Sequence, residues 1–252
     1  MLIAILNKSK RYVNNPNLLS QIASAVNVQL VQHVAPAWGI TPWQCVFYPN
    51  ENMVPPGAYR LWILDDADQA QALGYHDQDP NGVPYGRVFV NPIIKSGGTD
   101  FNSANSVSVT ISHEVCEIVG DPEVNAWRQM NNGKLTCQEL CDAVEGDAYP
   151  INVNGTNIFA SNFVLPAWFD MVPVKGSKFD YLGKLKAPFT MTKGGYMIIM
   201  VGGNVTNIFG SKLAEKKFLK NEGKKHPAAR AYKRGATKLN NKSVKKSVAK
   251  KK

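Results

Sequence analysis

Residues 102–119 constrain the rest of the chain most. Val107, Ile111, Val115 and Ile118 recur at helical spacing as one apolar stripe, and Ser103, Asn105 and Ser106 ahead of them supply capping groups. Gly120-Asp121-Pro122 stops the pattern. A helix with such a stripe lies on a core, yet this one interleaves His113, Glu114 and Glu117 with its apolar residues. Carboxylates beside a core are costly unless paired or coordinating, so the fold has to supply partners for them; the alternative is that Glu117 sits on a solvated face.

The segments before this helix read as a first strand at 3–6, a helix over 17–34 introduced by Asn15-Pro16 and ended by residues 35–39, and strands at 44–48 and 59–64. Residues 74–82 read as a loop, leading into an edge strand at 87–91. This order predicts an α+β fold, a small mixed sheet whose edge strand packs on the long helix. The part beyond 122 reads as loop-rich, with strands at 156–159 and 196–201. The expected organisation is a body over 1–210, in halves of about 1–122 and 123–210, followed by a tail at 211–252.

Charge supports that last boundary. The chain has 252 residues and a formal net charge of +10, but 16 of its 29 Lys+Arg and only two of its 19 acids lie in 211–252. The body is therefore mildly acidic. The tail has few large apolar residues after Phe218-Leu219, so beyond a short helix at 211–220 it reads as disordered. Its lysines suit non-specific contact with nucleic-acid phosphates, or mere solubility. No apolar run is long enough to span a membrane, and the apolar start lacks the basic stretch of a secretory leader. The expectation is a soluble protein, with the cytoplasm as its compartment. Cys137 and Cys141 have half the spacing of a zinc site but no second Cys/His pair follows, so the four cysteines read as buried free thiols.

Residues four apart on a helix lie one above the other, so His113 and Glu117 can reach one ion while Glu114 points beside it. This is the HExxH arrangement of zinc hydrolases with glutamate in place of the second histidine, and it makes Glu114 the candidate general base. A third ligand must come from elsewhere. In Glu139-Leu140-Cys141-Asp142-Ala143-Val144-Glu145-Gly146-Asp147 four carboxylates crowd together, and Asp142 or Glu145 could complete the set; a solvated acidic loop is the alternative. Asp121 and Glu123 are secondary candidates. A carboxylate in place of an imidazole makes the site harder and more oxygen-rich, so manganese or calcium joins zinc as a candidate cofactor. His76, in the loop ahead of the expected edge strand, is a candidate for binding substrate or an oxyanion.

Ser112-His113-Glu114-Val115-Cys116-Glu117, then Asp121-Pro122, Glu139-x-Cys141-Asp142-x-Val144-Glu145, the run from Asn162 through Phe163-Val164-Leu165-Pro166-Ala167-Trp168 to Phe169, and Gly194-Gly195-Tyr196 together resemble a family of zincin-like proteins encoded by bacteria and their phages. Ala35-Pro36-Ala37-Trp38-Gly39 and Gly74-Tyr75-His76 look like that family's upstream landmarks, so the likeness spans about residues 1–200. It implies a zincin-type α+β fold and metallopeptidase activity on a peptide or protein substrate. It also implies His113 and Glu117 as helix ligands, Glu114 as base, and Asp142 and Glu145 as the downstream acidic motif. The chain departs from the HExxH of active zincins. The alternative function is a non-catalytic, metal-stabilised phage structural or binding module whose basic tail contacts nucleic acid.

Overall fold

The computed structural model describes residues 1–69 and 72–221 and is a mixed α+β fold. Strands β1 (Leu2–Asn7), β2 (Gln44–Tyr48), β3 (Tyr59–Leu64), β4 (Gly74–Gln78) and β5 (Pro84–Phe89) form one sheet in the order β2-β1-β3-β5-β4. All neighbours pair in parallel except β4, which runs antiparallel along β5. The sheet's edges are thus β2 and β4, the latter read from sequence as a loop, and the strand expected at the edge, β5, lies inside the sheet.

Alternation along the strands sorts their side chains onto two faces. Ile3, Ile5, Leu61, Ile63 and Val88 face the main core, whereas Ala4 and Leu6 face a smaller cluster with Val54 and Ala58. The main core is covered by α1 (Pro16–Val28) and, further along the chain, by α4 (Val107–Gly120), with α3 (Val90–Lys95) between them in sequence. The first helix runs further than its spacing suggests. Its α-helical part passes into a π-helical turn, Gln29–Val34, and then into α2 (Ala35–Trp38), which Gly39 ends in the left-handed region at φ 62°. Pro36 has no N–H to give, and just ahead of it the Ala35 N–H reaches back to Leu30 O, the wider π spacing.

Helix α4 begins where the capping residues place it, with the Ser106 hydroxyl accepting the Val109 N–H. Gly86 of β5 lets it sit close to the sheet, because a Cβ there would stand 2.7 Å from Leu61 Cδ1 and 3.3 Å from Ile118 Cδ1. On another side, the Ser108 hydroxyl donates to Phe159 O at 2.6 Å and the Ser112 hydroxyl accepts the Ser161 N–H at 2.6 Å. Those two bonds tie the helix to the hairpin of β8 (Ala148–Val153) and β9 (Thr156–Ser161).

The part after α4 holds more regular structure than its sequence suggests. Besides that hairpin, β6 (Trp127–Gln129), β7 (Leu135–Cys137), β10 (Tyr196–Val201) and β11 (Asn204–Phe209) form an antiparallel sheet in the order β11-β10-β7-β6. The main core does not stop at residue 122, since Tyr149, Ile151, Ile158, Ala160 and Phe163 belong to it. A second core gathers Val144, Val164, Trp168, Met197 and Ile199. Helix α5 (Lys212–Asn221) falls where a short helix is expected. Residues 222–252, and with them most of the basic tail and its expected nucleic-acid contact, lie outside the described residues. No described helix is long and apolar enough to cross a membrane.

Arg11 and Tyr12 anchor the turn after β1 to the approach to α4. The Arg11 guanidinium donates to both oxygens of Asp100 at 2.7 and 2.9 Å, and the Tyr12 hydroxyl donates to Oδ1 at 2.7 Å. These donors, Arg11 first, hold the Asp100 carboxyl below its ordinary value. Arg11 is exposed enough for solvent to screen the pair, so Asp100→Asn is expected to cost about 1 kcal/mol at neutral pH. A depressed carboxylate stabilises above its unfolded pKa, about 3.9, and that contribution is lost as pH falls through the folded value. Urea unfolding should therefore show a constant gap between wild type and variant above about pH 5 that closes in stronger acid.

Candidate metal centre

Two elements bring histidines to the carboxylates of α4. The first is α4 itself, where one helical turn sets His113 Nε2 3.0 Å from Glu117 Oε1. The second is β4. In the antiparallel register His76 stands opposite Gly86 and Gly74 opposite Val88, which puts 74 and 76 on the face that α4 covers. Glycine is needed at 74 because a Cβ there would lie 2.8 Å from both Glu114 Oε1 and Thr110 Cγ2. His76 then reaches across, its Nδ1 3.1 Å from Glu117 Oε2 and 3.5 Å from Glu114 Oε2, and its Nε2 3.6 Å from Glu139 Oε2.

The acidic motif arrives from the other side. Asp142 opens a 3-10 turn, Asp142–Val144, and its Oδ1 lies 3.2 Å from His113 Nε2. The turn is clamped by backbone bonds: Leu140 O accepts the Val164 N–H at 2.7 Å and Ala143 O accepts the Thr192 N–H at 2.9 Å. The Trp38 indole donates to Val164 O at 3.1 Å. At Gly195 a Cβ would be 2.2 Å from Ala143 O, so only glycine lets the start of β10 lie against this turn. Trp38, Val164 and Gly195 each have a mechanical task here, bracing the acidic segment.

His113, Glu117 and Asp142 thus meet in one group, and His76, Glu117 and Glu139 meet in another, each offering ligand atoms within 4.8 Å of one another. Glu114 lies beside them and outside both groups. Three of the four residues expected to hold metal are brought together. Glu145 is the exception: it follows the 3-10 turn at φ −56° and ψ 136°, and its carboxylate belongs to neither group. Glu139 takes a place the sequence reading does not assign to it. His76 is corrected in setting: it lies on a strand and not in a loop, is fully buried and faces carboxylates. Asp121 caps the end of α4, accepting the N–H groups of Asn125 and Ala126, and Glu123 accepts from the Asn125 amide; neither is part of a ligand group. All four cysteines are free and buried.

The donors fit a cation. Two atoms bound to one ion at about 2.1 Å stand about 3.0–3.4 Å apart for octahedral to tetrahedral angles, the range in which Oε1 of Glu117 and Oδ1 of Asp142 lie from His113 Nε2. Asp142 Oδ2 is buried with no hydrogen-bond partner among the described residues. Burial opposes charge on His113, but Glu117 and Asp142 outweigh it and hold its pKa well above the ordinary histidine value. Burial likewise opposes ionisation of Glu117, yet His113 and His76 hold it well below the carboxylate range. Asp142 goes the other way: burial, then repulsion from Glu117, pushes it well up. In the metal-free chain protons on His113 and Asp142 therefore offset part of the charge that a cation would neutralise.

The crevice beside this cluster, between Glu139, Asp142, Trp168 and Tyr196, is too narrow to admit a water molecule, whereas a larger surface groove at Met1, Gln44, Pro55 and Gly57 contains none of the ligand residues. Comparison with protein-family models, curated proteins and solved structures returns no match to this chain. Fold and site together define a mixed α+β protein with a buried histidine and carboxylate cluster able to hold a metal.

Proposed function

We propose that the chain is a metal-dependent hydrolase of zincin-like type that cleaves peptide bonds. The observation that carries this reading is the convergence of His113, Glu117 and Asp142 at 3.0 and 3.2 Å about one imidazole nitrogen, from a helix turn and a distant acidic motif. The antiparallel edge strand beside that helix adds support from the fold. A bound divalent cation, zinc or else manganese or calcium, would supply Lewis-acid polarisation of a carbonyl and a lowered pKa for water. His113, Glu117 and Asp142 hold it. Glu114, one residue from the ligand His113 and outside the ligand groups, is the base that takes the proton from water and passes it to the leaving amine. His76, 3.5 Å from Glu114, positions that carboxylate.

A second reading is favoured by one observation, the near-complete burial of Glu114, Glu117, Glu139 and Asp142. Donors so enclosed suit an ion that stabilises a binding or virion module, with the basic segment after residue 210 held against nucleic-acid phosphates. Full-length protein purified without chelator separates the two. The hydrolase is expected to contain a divalent ion by elemental analysis and to cleave quenched fluorescent casein, losing activity to a chelator and regaining it with zinc or manganese. A metal-replete protein without turnover leaves the module.

A further inference from the structure

We infer that Glu117 is a bridging carboxylate shared by two cation positions, the second formed with His76 of β4 and Glu139. This rests on the metal reading above and extends it. The two oxygens of Glu117 serve different histidines: Oε1 lies 3.0 Å from His113 Nε2, and Oε2 lies 3.1 Å from His76 Nδ1. One carboxylate that divides its oxygens in this way can hold two ions about 3.5–4 Å apart, the separation usual in two-metal hydrolases.

Burial points the same way. The carboxylates of Glu114, Glu117, Glu139 and Asp142 are all enclosed around these two histidines, and carboxylates enclosed together call for cations among them.

The setting of His76 is the third observation. A neutral imidazole has a single N–H, but both of its ring nitrogens face carboxylate oxygens here, Nδ1 toward Glu117 and Glu114 and Nε2 toward Glu139. One nitrogen would then present a lone pair to an oxygen anion. The Nε2 to Glu139 separation of 3.6 Å is too long for a hydrogen bond, and His76, Glu117 and Glu139 each offer one ligand atom within 4.8 Å of the others. An imidazolium held by the three carboxylates is the competing arrangement.

The experiment loads metal-free full-length protein with manganese(II), removes excess by desalting, and measures manganese per chain together with the electron paramagnetic resonance spectrum. Two ions per chain and a spin-coupled spectrum are expected. Glu139→Gln should lower the content to one ion and remove the coupling, and His113→Gln should disturb the coupled pair as well. One ion per chain in the wild type, without coupling and insensitive to Glu139→Gln, overturns the bridge and leaves the hydrolase reading standing. No bound manganese, zinc or calcium at all overturns both. Should Glu139→Gln fail to fold by circular dichroism, the wild-type stoichiometry and spectrum decide alone.

Discussion

Glu114→Gln is expected to lower hydrolysis of an unstructured protein by about 10²–10⁴-fold, the range contributed by a positioned acid–base group, while bound metal stays at the wild-type level. Glutamine keeps the size of the side chain and removes its ability to accept a proton. Size matters at this position because the carboxylate fills the space left by the missing Cβ of Gly74. An alanine there would confuse a lost base with a lost contact. Glu114 belongs to neither ligand group, so metal content serves as the internal control. Steady-state kinetics with elemental analysis on the same samples check the result. Activity within about threefold of wild type would remove Glu114 as the base. A parallel loss of metal would make it a ligand instead.

The helix that carries Glu114 is legible in the sequence because two independent signals coincide, a 3.6-residue apolar stripe and the Ser106 cap. Its partner strand is not. In β4, Tyr75, His76 and Asp77 are all buried, so the alternation of apolar and polar residues that marks a half-exposed strand is absent, and His76 reads as a loop residue. The choice among Glu139, Asp142 and Glu145 is hidden for a different reason. Their spacing allows any of them to approach the helix, and a short 3-10 turn braced by Val164 and Gly195 decides which do. Contacts that close between residues far apart in sequence leave no local periodicity. The close approaches do leave a trace as glycines: at 74 and 195 a Cβ would collide with the site or its brace.

Removal of bound metal is expected to lower the melting temperature of the full-length chain by on the order of 10 °C at neutral pH. A ligand that binds only the folded state stabilises it by about 4 kcal/mol when its concentration is a thousand times Kd, and for a body of this size 1 kcal/mol corresponds to about 2–4 °C. The cause is local. Without a cation, Glu117, Glu139 and Asp142 face one another in a buried region, and protons on His113 and Asp142 offset only part of the repulsion. The sign of the pH dependence follows from those protons. His113 and Asp142 have raised pKa values in the metal-free fold, so their protonated forms favour folding at low pH and that contribution fades as pH rises through the folded values. A cation must displace the same protons, so it binds more tightly as pH rises. The gap between metal-loaded and chelator-treated protein should therefore widen from about pH 6 to about pH 8, followed by differential scanning calorimetry in matched buffers. A chelator-insensitive melting temperature across that range would mean that protons alone stabilise the cluster.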